Sequence, residues 1–432
     1  MVCFLALTAA PAYAQTGWYG AGWTSRQKIT IDSNAVAYGL SGDLTDFAFL
    51  VRITDNSNDI FGVAQSDGDD IAFTSSDGTT RLAHEIEHYD DGGGTEDLTA
   101  WVKLPTFVYD ADTVIYMYYG NSSVARQQRP DEVWNDDFAG VWHLGEDGAV
   151  SLYNDSTQYD NTGIGGIVSS SQAPEQSADS ISGFSQDFPN ADDMIDVGAW
   201  DASGDAITLS TWFYHTSGPT NDDRYISKAN GTAEANHWFA FGLNNGVDLR
   251  LRLKVGGTTS TYHSTSTITQ DTWQHGTAVY DGTKTYLYLD GTEVGSWAET
   301  GDIDTDAGVG VALGNNPDGS RSVDGKMDET RVSSVARSPD WIKTEYQTQG
   351  TSAQGFPVIP NVVDTSKFIE KRGYQQQYFQ YRREITINKD KVEGTHTDFP
   401  VLVDITLDSA HVQHASGYDI AFVGEDGAQY SH

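Results

Sequence analysis

Cysteine is nearly missing. Cys3 is the only one in 432 residues, so no disulfide can form within the chain and its folded parts cannot rely on one. Basic residues are scarce too: 25 Lys and Arg stand against 62 Asp and Glu, a net charge of −37. A field of that sign repels phosphate, which excludes nucleic acid or an anionic membrane surface as the main partner. No apolar run approaches the ~18 residues that a membrane span needs. Against these shortages stand 11 Trp, 22 Tyr and 17 Phe, with 38% apolar residues, enough for packed cores and unlike a disordered acidic chain. The length suggests about three domains at ~150 residues each.

Two-residue alternation dominates the chain. Val247, Leu249, Leu251, Leu253 and Val255 alternate with Asp248, Arg250, Arg252 and Lys254, the pattern of a strand with one wet face. Asp290-Gly291, between Thr285–Leu289 and Glu293-Val294, marks a tight hairpin, because that pair tolerates the positive φ of the turn. Further strands are expected over 27–31, 47–54, 82–89, 98–103, 113–119, 207–214, 237–243 and 273–280. One segment reads as helix: Ser338 as N-cap, Pro339 at N1, Asp340 in the first turn, and Gly350 at the end. The fold class is all-β.

The first 14 residues form an apolar run ending in Ala12-Tyr13-Ala14, which suits cleavage before Gln15 and export. Its basic n-region is missing, so the reading frame is expected to start upstream of Met1. An internal repeat is plainer. Arg26–Ile31 returns as Arg382–Ile387, Thr45-Asp-Phe47 as Thr397-Asp-Phe399, and Asp70-Ile-Ala-Phe73 as Asp419-Ile-Ala-Phe422. The offset falls from 356 to 352 to 349 as loops shorten, which is how homologous modules differ. The second copy stops partway, so the polypeptide is expected to continue past His432 with further domains. The resulting order is a leader over 1–14, a first β domain over 16–136, a central module over 137–349, a linker over 350–376, and a truncated second copy over 377–432.

The central stretch carries Val141-Trp-His-Leu144, Ile207-Thr-Leu-Ser-Thr-Trp212, Leu287-Tyr-Leu-Asp-Gly291 and Gly325-Lys-Met-Asp-Glu-Thr-Arg-Val332, in order. It resembles the LamG-like, concanavalin A-like lectin/glucanase jelly rolls. The resemblance implies two antiparallel sheets packed face to face, flanked here by β-sandwich-like repeats. Those repeats, marked by Asp70-Ile-Ala-Phe73, His84-Glu-Ile-Glu87 and Ala100-Trp-Val-Lys103, resemble a bacterial domain of unknown function that accompanies LamG modules. In some envelope proteins that pair precedes an ExbB/TolQ-type proton channel.

His84-Glu-Ile-Glu-His88 matches the His-Glu-x-x-His pattern of zinc proteases, whose chemistry needs a helix. A strand separates residues i and i+4 by ~13 Å, too far to share one ion, and Asp77-Gly78 and Asp91-Gly-Gly-Gly94 bracket a strand. In that strand Leu82 and Ile86 are expected on the histidines' face, with Glu85, Glu87 and Tyr89 opposite. The paired acids of a retaining glucanase strand are absent from 137–349, and Glu234 and Glu293 are isolated. The chain is therefore expected not to be an enzyme. The resemblance makes Asp328 a candidate ligand for calcium, the one cofactor expected, and Asp192 and Asp193 are loop candidates for the same ion. Trp212 and Trp273 are expected in the core, as are Trp101, Tyr116 and Tyr118 in the first domain. Trp238 and Tyr262 are the candidates for an exposed sugar-stacking platform. The function expected is non-catalytic binding of carbohydrate or cell-surface and matrix ligands by a secreted, surface or periplasmic protein. An accessory segment of an envelope transport protein, or a glycoside hydrolase, are the alternatives.

Overall fold

The computed structural model describes residues 18–33, 40–147, 152–166, 172–216 and 222–350 apart from Ala21 and Ser203, with backbone alone at 369–371, 422–423 and 429–430. The leader and most of the linker and second repeat lie outside the described residues. The chain divides into two units, 1–369 and 370–432. In the second, 422–423 pairs antiparallel with 429–430, and Asp426-Gly427 lies between them in the sequence. In the first repeat the corresponding Asp77-Gly78 turn is likewise flanked by two paired strands.

The first unit begins with a small sandwich. Its strands are β1 (Ser25–Ile31), β2 (Leu44–Ile53), β3 (Ala72–Ser75), β4 (Arg81–Leu82), β5 (His84–Asp90), β6 (Asp97–Phe107) and β7 (Thr113–Tyr119). One sheet runs β1-β7-β3-β4 and the other β2-β6-β5. Ile29, Phe49, Val51, Phe73, Val102 and Met117 meet between them with no solvent exposure.

A larger sandwich follows. Its strands are β8 (Phe138–Trp142), β9 (Leu152–Tyr153), β10 (Gly163–Gly165), β11 (Glu175–Ser177), β12 (Ser185–Phe188), β13 (Ile195–Asp196), β14 (Ile207–His215), β15 (Arg224–Ala229), β16 (His237–Asn244) and β17 (Asp248–Val255). Then come β18 (Thr258–Thr267), β19 (Trp273–Tyr280), β20 (Lys284–Leu289), β21 (Thr292–Ala298), β22 (Val311–Leu313) and β23 (Gly325–Ser333). One sheet has the order β18-β17-β16-β15-β22-β13-β10-β9. The other has β11-β12-β23-β14-β19-β20-β21, with β8 also on β23. Leu209, Phe213, Phe241, Leu249, Leu251, Leu287 and Met327 fill the space between, the alternate residues of each strand as the pleat requires. Asp290 and Gly291 turn the β20–β21 hairpin with φ of 52° and 71°, the pair of positive values that Asp-Gly permits.

The helix α1 (Pro339–Gln349) starts where the sequence places it, Ser338 Oγ accepting the Trp341 N–H at 3.1 Å. It lies on the outer side of the β14 sheet, where Ile342 packs with Val279 and Tyr288, and Tyr346 with the buried Trp212 and Trp273. Its Trp341 reaches the first sandwich, 4.9 Å from the ring of Phe47. The β14 sheet is therefore covered on both faces. Among the described residues no helix is long and apolar enough to cross a membrane.

Candidate functional site

The other large sheet carries a concentration of positive charge that is out of keeping with the chain as a whole. Phe239, Phe241 and Leu243 of β16, and Leu249, Leu251 and Leu253 of β17, point into the core. Pleating therefore turns Trp238, Ala240, Gly242, Arg250, Arg252 and Lys254 outward. Register sets them in rows. Gly242 lies between Arg224 of β15 and Arg250, which pairs onward with His263; Ala240 lies between Ser227 and Arg252, which pairs onward with Thr261. The result is a floor of two small residues edged by long cationic ones.

Gly242 is required here by close approach. A Cβ at this position would stand 1.9 Å from the carbonyl oxygen of Asp223, because β15 is bulged beside Arg224 and its backbone presses onto β16. That approach brings Arg224 against Arg250.

The charges are poorly matched. Asp222 Oδ2 is 3.1 Å from Arg250 Nη1, 3.9 Å from Arg321 Nε and 4.0 Å from Arg224 Nη2, so one carboxylate serves three guanidiniums. Arg224 also donates to the backbone oxygens of Asp222 and Asp223. The Nε of Arg224, Arg252 and Arg321 and Nη2 of Arg250 are buried donors with no acceptor. Burial first, then Arg250 and Arg252, pushes the Arg224 guanidinium down to about 8. Burial and then Arg252 also push His237 down to about 4, leaving its ring neutral, with Nε2 3.3 Å from Arg252 Nη1. Beyond this row the Lys254 ammonium sits 4.5 Å over the half-buried ring of Trp238.

Of the two platform candidates, Trp238 is on this face and Tyr262 is not. Tyr262 pairs with the inward Leu251, is only 7% exposed, and gives its hydroxyl to Glu299 at 2.6 Å. The loop-rich look of its surroundings concealed its parity in the strand. The arginines were visible only as a wet strand face, because Arg224 and Arg321 join Arg250 and Arg252 through pairing and loop contacts that no local pattern announces.

A second charged region lies where the two sandwiches meet. His84-Glu-Ile-Glu-His88 forms most of β5, and a bulge between Ile86 and His88 resets its phase. His84 is buried against Phe73, and burial pushes it down to about 3. His88 instead meets Phe184 edge-on, and Tyr89, expected beside the glutamates, packs on the core. The two histidines thus do not even share a face, and the zinc-protease geometry does not arise.

Glu85 and Glu87 face the central sandwich. There β23 is bulged opposite β14, with Glu329 at φ 49°, so that Asp328, Glu329 and Arg331 all reach the junction. His143, just past β8, stands 2.9 Å from Glu329 and 3.2 Å from Glu85. Arg331 binds Glu329 at 2.6 Å and also Glu345, and lies over Trp101 and Trp134. Trp101 Nε1 and Ser182 Oγ each donate to Glu87 at 2.8 Å. Burial opposes its charge, yet Glu329 and Glu85 hold His143 well above its ordinary value. Burial and then Glu329 raise Glu87 to about 7. Glu87, His143 and Glu329 offer ligand atoms within 4.8 Å of one another. Both ring nitrogens of His143 are directed at carboxylates, so in this arrangement the ring serves as their cation.

The three calcium candidates are each engaged in hydrogen bonds within the fold. Asp328 is buried and accepts the Ile181 and Ser182 N–H groups at 2.7 and 3.0 Å. Asp193 accepts from Asn190 within its own turn, and Asp192 from Gln172. These three carboxylates do not bring ligand atoms within 4.8 Å of each other. At the edge of the junction Arg52, His88, Asp90, Asp97, Ser180 and Phe184 line an open cleft.

Residues 189–343 match the family model of the concanavalin A-like lectin/glucanases superfamily, and residues 67–161 match that of a domain of unknown function. The central sandwich is of that lectin/glucanase superfamily. A search of curated proteins returned no match. Among solved structures, domain 4 of AbnA, a GH43 extracellular arabinanase from Geobacillus stearothermophilus, in complex with arabinotriose, overlaps at 19% identity, covering 48% of this chain and 97% of that one, TM-score 0.37. The CBM40 of the Ruminococcus gnavus IT-sialidase, bound to α2,3 sialyllactose, overlaps at 16% identity over 34% and 84% of the chains, TM-score 0.29. The binding domain of Paraclostridial Mosquitocidal Protein 1 does so at 14%, TM-score 0.38, with 49% of this chain spanning about half (52%) of that one.

Proposed function

We propose that the central jelly roll is a non-catalytic carbohydrate-binding module and that the outer face of the β15–β18 sheet is where it binds. The observation that carries this reading is the juxtaposition of the Trp238 ring with a row of guanidiniums over the Ala240–Gly242 floor. An indole offers a flat apolar plate to the C–H face of a sugar, and unpaired N–H groups beside it suit ring and substituent oxygens. The acids at the row are Asp222, which faces arginines, Asp248, which is paired with His263 at 3.0 Å, and Glu234, which accepts from Thr261. All three are engaged in these contacts, whereas glycoside cleavage needs a proton donor opposite a second acid. The apolar leader supports export, so the ligand would be met outside the cytoplasm.

Affinity electrophoresis of the folded chain through gels containing soluble polysaccharides, with and without chelator, tests the reading. Retardation by at least one polysaccharide, reduced in Trp238→Ala, is expected. Retardation that is unchanged in Trp238→Ala, or that vanishes with chelator alone, would place binding elsewhere.

A further inference from the structure

Deepening that reading, and resting on it for the word sugar, we infer that the outer face selects a saccharide unit bearing a carboxylate or sulfate, held by Arg224, Arg250, Arg252 and Arg321. Arg224 and Arg250 are 2% and 5% exposed. Each keeps a buried donor with no acceptor, and so do Arg252 and Arg321. Orphaned buried donors cost free energy, and a guanidinium cannot relieve the cost by releasing its proton near neutrality. Asp222 is shared among three of the four, and the fourth, Arg252, feels Glu234 and Asp222 only at longer range, so the row holds more positive than negative charge. A planar anion accepting two parallel N–H bonds satisfies both the donors and the charge. His237, neutral and turned to Arg252, adds no negative charge.

The size of the anion is bounded by the rest of the chain. With a net charge of −37, a densely charged polymer is repelled at long range, whereas one acidic substituent beside the Trp238 plate gains the local cluster. The class is therefore a uronate, a sialic acid or a sparsely sulfated sugar, and not a nucleic acid.

Two titrations separate this inference from the reading beneath it. In the first, trigalacturonate, sialyllactose and a sulfated galactan oligosaccharide are each titrated calorimetrically against their neutral counterparts: the methyl ester, lactose and the desulfated oligosaccharide. One acidic probe is expected to bind at least about tenfold tighter than its counterpart, with affinity falling as salt rises. Arg252→Gln and Arg250→Gln should erase the preference, and Arg252→Lys should restore only part of it. In the second, thermal unfolding is followed in millimolar sodium sulfate at constant ionic strength. The wild type should gain midpoint temperature and Arg250→Gln should not. Equal binding of acidic and neutral sugars with no sulfate effect overturns the inference and leaves the carbohydrate reading standing. A sulfate effect without any sugar binding upholds the anion site and removes that reading. Equal binding of a single-stranded oligonucleotide overturns the restriction to a singly acidic sugar.

Discussion

The junction between the two sandwiches and the outer face of the central one are both crowded with charge, and they resolve the crowding in opposite ways. At the junction the surplus is of carboxylates: Glu85, Glu87, Asp328, Glu329 and Glu345 around His143 and Arg331. A carboxylate can take up a proton, and Glu87 and Asp328 are the two pushed upward, by burial and then by Glu329. On the outer face the surplus is of guanidiniums, which have no such exit. The first region can therefore close on itself as an interface. The second has no matching set of anions among the described residues.

Removing a cation is the strongest way to test this contrast. His143→Ala leaves Glu85, Glu87 and Glu329 facing one another without the imidazolium between them. It is expected to cost about 3–5 kcal/mol in chemical denaturation, the usual result of removing one partner of a buried ionic set. If the variant unfolds within about 1 kcal/mol of the wild type, the junction does not depend on its charges and the comparison fails.

The junction should also respond to pH, in the opposite direction to the outer face, where His237, held down to about 4, costs stability as pH falls below 6.5. Glu87 is held at about 7 in the fold against an ordinary value of 4.5. The folded state thus binds this proton more tightly than the unfolded one, so its contribution is complete below about 4.5 and is lost as pH rises through about 7. His143, also raised, loses its contribution in the same direction, above its ordinary 6.5. Glu85 and Glu329 are lowered, against burial, chiefly by His143, and their contribution disappears as pH falls below 4.5. Through Glu87 the junction's own contribution should decline toward alkaline pH by an amount on the order of 3 kcal/mol, while the neutral His84 and His237 destabilise the fold as pH falls below 6.5. Glu87→Gln should flatten that decline between pH 4.5 and 7. A decline that survives in Glu87→Gln assigns it to another group.

The backbone under the arginines offers a subtler test. Gly242→Ala places a methyl group against the Asp223 carbonyl. Either β15 moves away or β16 distorts, at about 1–3 kcal/mol. Because Arg224 is carried by that approach, binding to acidic sugars should weaken even in the folded fraction.

How far these features could be read from residues alone varies with how local they are. The alternation over 247–255 became β17 from Asp248 on, Asp290-Gly291 became the turn of the β20–β21 hairpin, and Ser338-Pro339 began α1 at the expected residue. Each depends on neighbours in sequence. The strand character of His84–His88 was legible from its flanking turns, but the bulge after Ile86 was not, so the faces assigned to His88 and Tyr89 were exchanged. Bulges are decided by the partner strand. The same holds for Tyr262, whose inward direction follows from its pairing with Leu251. Both charged regions assemble residues far apart in sequence, from Glu85 to Glu345 in one and from Asp222 to Arg321 in the other.

The smallest effect discriminates best. Arg252 is half-buried, its nearest recorded partner is a neutral histidine, and burial and then Arg250 lower it. Replacing it with Gln removes one like charge from the row, at the loss only of its longer-range attraction to Glu234 and Asp222. Stability should change by less than about 0.5 kcal/mol, or rise slightly, as for a surface position without a defined partner. The change in ligand preference should nonetheless be large. Loss of several kcal/mol in Arg252→Gln would show that the row, like the junction, is already matched from within. The contrast between a region that titrates and one that waits for an anion would then be lost.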